Sequence, residues 1–202
     1  MDAFIGILSK NTKILELGCG SGKVIAYLCK KGAIERNITG VDISNRLLDI
    51  ARKKYPEAKF IKSDISSIKI PQKSFQLILA IRTFEYLSNK ELVKTLKTCF
   101  SSLKKNGVLF IIIGHPIRVN GQDVSSYQNR GLRKHTIPGG LPVNLFHKTF
   151  SDYLNTAIQS GFLIDLIDEP EVPINLAKLN PADYSRYKSY GSVILVMRLI
   201  KP

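Results

Sequence analysis

The ten residues Ile14-Leu15-Glu16-Leu17-Gly18-Cys19-Gly20-Ser21-Gly22-Lys23 constrain the fold of this chain more than any other stretch. A short apolar run ends at an acidic residue, and three glycines then alternate. That pattern predicts a buried strand feeding a tight turn into a helix. Glycines suit such a turn because the backbone takes unusual φ values and a ligand can approach it closely. The spacing narrows the ligand. A dinucleotide fingerprint, G-x-G-x-x-G, needs its third glycine where Lys23 stands. A phosphate-binding G-x-x-x-x-G-K-[ST] loop, counted back from Gly22, puts Leu17 in the first glycine's place and Val24 in that of the Mg²⁺-binding hydroxyl. The run E-x-G-x-G-x-G remains.

Downstream, apolar runs alternate with helical patterns, the signature of a parallel sheet with helices on both faces. Strands are expected at about 13–17, 38–42, 58–62, 75–80, 108–113 and 162–167. Ser44 can cap one helix, and Ser88 with Glu91 forms a capping box for another. Thr149 and Asp152 give a second capping arrangement, and Gly32 and Gly161 are expected helix stops. A final apolar run, 193–200, is expected to be an antiparallel strand closing the sheet. The predicted fold class is α/β, a doubly wound Rossmann-like sheet, mostly parallel, with an antiparallel last strand.

Residues 114–146 break the pattern with Gly121, Pro138, Gly139, Gly140 and basic residues at Arg118, Arg130, Arg133 and Lys134. A long, weakly periodic stretch of this kind is usually a binding loop or lid. The expected organisation is one domain over residues 1–202, with 114–146 as a substrate lid.

Three cysteines, Cys19, Cys29 and Cys99, lack metal-ligand spacing and fit a reduced, cytoplasmic compartment. The N-terminus has no secretory pattern, no run is long enough to span a membrane, and no metal site is expected. The formal net charge is +14. It fits attraction to an anionic partner, RNA included, and equally fits lysines spread over solvated helix faces.

Asp42 ends the second strand, where a carboxylate can accept both hydroxyls of a ribose. Asp64 follows the third strand, where an acceptor can take adenine amino hydrogens. With these residues in place, the chain resembles the class I S-adenosylmethionine (SAM) dependent methyltransferases. Glu16–Gly22 resembles their motif I, Gly40–Ser44 the second motif, Phe60–Asp64 the adenine motif and Ser74–Ala80 motif IV. Leu103–Leu109 resembles the turn into strand five, and His147–Pro170 the C-terminal part of small-molecule methyltransferases of this superfamily. The resemblance implies that SAM is the cofactor and S-adenosylhomocysteine the product. It places Gly18, Cys19 and Gly20 against the cofactor, Asp42 and Ile43 at the ribose, and Asp64 with Ile65 at the adenine. The backbone at Ala80 and Ile81 would meet the methionyl amine, and Glu16 would orient the loop or that amine through water. Two departures stand out: Gln76 replaces the usual acidic residue of motif IV, and about a dozen residues precede the first strand. With so short a lead, either 114–146 supplies the lid or the site is open or completed by another subunit.

An acceptor that carries a proton also needs a base. Candidates are Glu85, Tyr86, His115, Tyr127, His135 and His147, with His147, His115 and Tyr86 put forward as catalytic. The sequence Ala80-Ile-Arg-Thr-Phe-Glu-Tyr86 lacks the Pro-Pro-Tyr motif of base amino-group methylation. Three functions follow. The first is methyl transfer to an oxygen or nitrogen of a small molecule, which Arg82 and the basic lid would suit if it is anionic. The second is RNA methylation, and the third a non-catalytic SAM-binding partner subunit.

Overall fold

The computed structural model describes residues 8–118, 126–136, 142–172, 174, 178, 180–188 and 194–202. Its framework is a seven-stranded sheet in the order β3-β2-β1-β4-β5-β9-β8. The strands are β1 Ile14–Leu17, β2 Ile38–Asp42, β3 Lys59–Lys62, β4 Phe75–Ile81, β5 Leu103–Gly114, β8 Leu163–Asp168 and β9 Ile194–Ile200. β1 to β5 pair in parallel, and β9 is antiparallel to both β5 and β8. The antiparallel last strand is thus as expected, but it does not close the sheet at an edge. It inserts between β5 and β8. Leu195, Val196, Met197 and Leu199 are buried there, as a central strand requires, while β8 alternates and leaves Leu163 exposed.

The helices are α1 Lys23–Lys30, α2 Asn45–Lys54, α3 Asn89–Ser102, α4 Phe150–Gln159 and α5 Pro181–Lys188. Their ends follow from local chemistry. Ser44 Oγ accepts from the Leu47 amide at the start of α2. Ser88 with Glu91 and Thr149 with Asp152 form complete capping boxes on α3 and α4. The ammonium of Lys201 donates to the carbonyls of Phe100 and Leu103, satisfying the C-terminal end of α3 from the far end of the chain. The two sheet faces bury separate cores. Leu15, Leu17, Ile78, Ala80, Ile111 and Ile113 pack under α3 and α4, through Leu92, Leu96, Tyr153 and Ala157. Ile14, Leu77, Leu79 and Phe110 pack under α1, through Ile25 and Leu28. Each fully buried aliphatic side chain contributes roughly 1.5–3 kcal/mol.

Two expectations are corrected. β5 begins at Leu103, not after the Asn106-Gly107 turn, because Leu103 pairs with Phe75 before the register shifts. The turn survives inside the strand as an irregularity: Asn106 has φ 59° and its amide donates to the Lys201 carbonyl. The 114–146 stretch, in its described parts, is not a bare loop. It holds a two-stranded antiparallel hairpin, β6 Gly131–Thr136 with β7 Pro142–His147. Gly121, Pro138, Gly139 and Gly140 lie outside the described residues.

β1 has β2 on one side and β4 on the other, so chain connections leave it in opposite directions. A crevice opens at the carboxyl ends of strands at such a point, and ligands bind there.

Candidate active site

The glycine loop leaves β1 at this crevice and is tied down on both sides. The amides of Gly18 and Cys19 both donate to the Val41 carbonyl on β2, at 2.7 and 3.0 Å. On the other side the Thr83 hydroxyl, just past β4, donates to the Leu17 carbonyl at 3.1 Å. Gly18 has φ 73°, and a methyl group on it would stand 2.4 Å from Thr83 Oγ1. Glycine is required here by conformation and by space. Gly20, φ 52°, is different: the nearest atom to a methyl group there would be Leu47 Cδ1, at 4.0 Å. Open space lies over Gly20.

Asp42 holds the loop in shape. Its Oδ2 accepts from the Gly20 amide at 2.8 Å and its Oδ1 from the Ser44 amide at 2.8 Å. One carboxylate therefore joins the glycine turn to the start of α2. Its backbone carbonyl accepts from the Ser63 amide at 3.1 Å, which brings the ends of β2 and β3 together. Ile43, beside it, is 67% exposed although apolar. Asp64 Oδ1 accepts from the Ser66 amide at 2.8 Å and shapes the next turn, while Ile65 is buried in the core.

Glu16 lies under the loop, 2% exposed, and its Oε2 has no hydrogen-bond partner. Burial, and then the nearby Asp42 charge, push its carboxyl up to about 8. An orphaned buried carboxyl at a crevice calls for a cationic or hydrogen-donating ligand group. Cys19 packs where Gly40 lacks a side chain; a methyl group on Gly40 would meet its sulfur at 2.7 Å. Burial, with Glu16 and Asp42 adding to it, pushes this thiol up to about 12, so its place is packing and not nucleophilic chemistry.

Ala80 is fully buried at the end of β4, and Ile81 follows it half-buried. Arg82 then turns with φ 54°, its amide donating to the Ile112 carbonyl at 2.7 Å. Glu85 is buried beneath this turn. Its Oε1 accepts from the Gly114 amide at 2.8 Å and pairs with Arg82 Nη2 at 3.0 Å, while Oε2 has no partner. Burial raises its carboxyl above the usual range against the pull of Arg82. Tyr86 is half exposed, and burial followed by the Glu85 charge raises its hydroxyl.

The two histidines put forward from sequence are both buried and engaged. His115 Nδ1 accepts from the Ile117 amide, so Nε2 carries the proton and meets Glu169 Oε1 at 2.6 Å. His147 Nε2 donates to the Tyr127 carbonyl at 2.8 Å, leaving Nδ1 buried without a partner. Burial lowers the His147 pKa and so favours the neutral ring. His135 is exposed on β6, opposite Val143. Tyr127 presents its hydroxyl to the Phe150 amide at the start of α4.

Sequence reasoning missed Lys148. It is 1% exposed, and its ammonium donates to the Leu87 and Phe146 carbonyls at 2.5 and 2.8 Å, between the rings of Phe146 and Tyr153. This links the root of the β6–β7 hairpin to the loop after β4. Thr83 was missed too, since only the fold brings it against Gly18.

The glycine turn, the carboxylate across it and the sheet order define a Rossmann-like domain with an adenosine-type crevice. Comparison with known proteins agrees. Residues 14–107 match a family model described as a methyltransferase domain. A demethylmenaquinone methyltransferase of Thermotoga maritima is 33% identical over 162 residues, 78% of this chain and 66% of that protein. A trans-aconitate 2-methyltransferase of an Enterobacter species is 34% identical over 133 residues, 62% of this chain and 50% of that protein. The chain thus spans between half and two thirds of the length of these two relatives. In fold, a SAM-dependent methyltransferase structure from Mesorhizobium loti superposes with a TM-score of 0.79 at 23% identity, over 96% of this chain and 94% of that one. The chain belongs to the class I SAM-dependent methyltransferases.

The residues present fit that family's cofactor. The buried Glu16 oxygen lacks a partner, the space over Gly20 is open, and an apolar Ile43 side chain stands exposed beside Asp42. Among the described residues, no group of His, Cys, Asp and Glu is placed to hold a metal ion, and no helix is long and apolar enough to cross a membrane.

Proposed function

We propose that this chain transfers the methyl group of SAM to a small-molecule acceptor, at oxygen or nitrogen. The observation that carries this reading is the Asp42 carboxylate bridging Gly20 and Ser44 beside open space over the glycine turn. In this reading Asp42 takes the ribose hydroxyls, Ile43 covers the adenine, and Asp64 with the Ile65 backbone holds its amino edge. Glu16 receives the methionyl ammonium, directly or through water, and the backbone at Ala80 and Ile81 completes that end. Gly18, Cys19 and Gly20 form the floor. Bound there, SAM supplies an electrophilic methyl group to an in-line nucleophile. The chain's own contribution is alignment and exclusion of water.

The small-molecule class is supported by relatives whose names specify demethylmenaquinone and trans-aconitate. It is also supported by the β6–β7 hairpin, whose root docks on the loop after β4 through Lys148 and Leu87. We assign this hairpin the role of lid. His115 and His147 support the walls, because their protons are committed to Glu169 and the Tyr127 carbonyl. Tyr86 is the exposed one of the three residues put forward as catalytic and serves as a contact to the acceptor.

The test is transfer from methyl-tritiated SAM to a small-molecule fraction and, in parallel, to total RNA at low and physiological salt. Label in the small-molecule fraction alone supports the proposal. Label in RNA, with binding that falls steeply as salt rises, replaces it with RNA methylation.

A further inference from the structure

The turn after β4 is built around a guanidinium, and this construction says what the acceptor must carry. Arg82 sits where β4 and β5 end, one residue before Thr83, which touches the glycine loop. Its backbone is left-handed, φ 54°, a conformation that strains any residue but glycine. The strain is held in place by neighbours. The Arg82 amide is fixed to the Ile112 carbonyl, and Glu85 is fixed to the Gly114 amide while pairing with the guanidinium. Gly114 leaves the room: a methyl group on it would stand 2.8 Å from Arg82 Nη1. The side chain nonetheless keeps 55% of its surface exposed, against 10% for Glu85. One N–H of five is paired with Glu85 in the salt bridge, and a guanidinium presents its donors as a planar fork suited to carboxylate.

Among the described residues, none in the same region is placed to act as a base. Around the ends of β4 and β5, the His115 ring nitrogens are both engaged, His147 is buried, the Glu85 carboxyl is enclosed, and burial with the Glu85 charge holds the Tyr86 hydroxyl in its protonated form. An acceptor bearing a proton would need one of them. An acceptor that is already anionic would not.

We propose that the acceptor atom, in the methyl transfer assigned above, is a carboxylate oxygen and that Arg82 is the residue that selects and orients it, with Glu85 and Gly114 as positioning residues. The reaction balances without proton transfer. A carboxylate oxygen lone pair forms the new C–O bond, the methyl–sulfur bond breaks, and its electron pair stays on sulfur. The products are a neutral methyl ester and S-adenosylhomocysteine.

The proposal rests on the methyltransferase reading, and the experiment separates the two. Protein saturated with S-adenosylhomocysteine is titrated calorimetrically at low salt with butyrate, succinate and benzoate and with their amides. At least one carboxylate is expected to bind about tenfold more tightly than its amide, in line with a charge-assisted bidentate pair. Arg82→Gln should abolish that preference, and Arg82→Lys should restore only part of it. S-adenosylhomocysteine affinity, unchanged in both variants, reports an intact fold. With tritiated SAM, the label on the preferred carboxylate should be released as methanol by alkali, as a methyl ester requires. Equal binding of carboxylates and amides, a preference retained in Arg82→Gln, or label stable to alkali would each overturn the Arg82 assignment. Wild-type protein that fails to bind S-adenosylhomocysteine would instead overturn the methyltransferase reading beneath it.

Discussion

The Asp42 carboxylate accepts the Gly20 amide at 2.8 Å with one oxygen and the Ser44 amide at the same distance with the other. A single side chain thereby fixes the glycine turn and the start of α2 relative to each other before any ligand arrives. Asp42→Asn keeps one acceptor oxygen but turns an NH₂ group toward the other amide. We predict a loss of about 0.5–1.5 kcal/mol of stability, the worth of one hydrogen bond to a part-buried amide, measurable by urea unfolding.

Gly18 and Gly20 are glycines for different reasons, and alanine separates them. Gly18→Ala drives a methyl group to 2.4 Å from Thr83 Oγ1 at a positive φ. Its melting temperature should fall by several degrees, equivalent to ~2 kcal/mol or more. Gly20→Ala meets only Leu47 Cδ1, at an ordinary contact distance of 4.0 Å, and should cost about 1 kcal/mol, from φ alone. Its larger effect should be on cofactor affinity, because the methyl group occupies the open space. Thermal unfolding and calorimetry of both variants check the split.

Glu16 has a carboxyl raised from 4.5 to about 8 by burial and by Asp42. The folded state therefore binds the proton more tightly than the unfolded chain. Its contribution favours folding most fully below 4.5 and is lost progressively as pH rises toward 8. Glu16→Gln should flatten that decline and stabilise the protein near neutral pH. If the ligand ammonium lies against Glu16, binding at pH 7 should release a proton. Calorimetry in two buffers of different ionisation enthalpy measures this, and Glu16→Gln should abolish the release.

Lys148 carries an ammonium lowered from 10.5 to about 8 by burial, with Glu85, Asp152 and Glu91 opposing the shift. Between these values the unfolded chain holds more protons, so this residue should make stability rise as pH goes from 8 toward 10.5. Lys148→Met removes the charge but leaves the Leu87 and Phe146 carbonyls without their donor. Amide exchange in β6 and β7 should quicken by about tenfold, with the central sheet unchanged. Uniform acceleration across the sheet would instead mark a global loss of stability.

Features set by neighbours in sequence were legible from sequence. The capping boxes Ser88/Glu91 and Thr149/Asp152, the Ser44 cap and the strands flanking the glycine turn all formed as expected. What was not legible depends on distant partners. β9 lies between β5 and β8 because long-range pairing places it there, and its apolar run alone fits an edge or a centre equally. The β6–β7 hairpin escaped notice because Arg133, Lys134 and His135 give β6 no apolar face. On the candidate site, the meeting of the glycine run with Asp42 was legible, since their spacing puts both at the carboxyl ends of neighbouring strands. The burial of His115 and His147 was not, because Glu169 and Tyr127 reach them only in the fold. The same holds for Lys148 and Leu87, 61 residues apart.

In the proposed function, the crevice at Gly18–Gly20 and Asp42 holds the adenosine and amino-acid ends of SAM. Its most direct test is titration of the wild-type chain and Asp42→Ala with S-adenosylhomocysteine. If this carboxylate takes both ribose hydroxyls as well as ordering the loop, removing it should weaken binding by about 30-fold or more, the equivalent of ~2 kcal/mol. Wild-type binding at one site with that loss in Asp42→Ala is the predicted result. Equal affinity in the two proteins, or no binding by either, would contradict it.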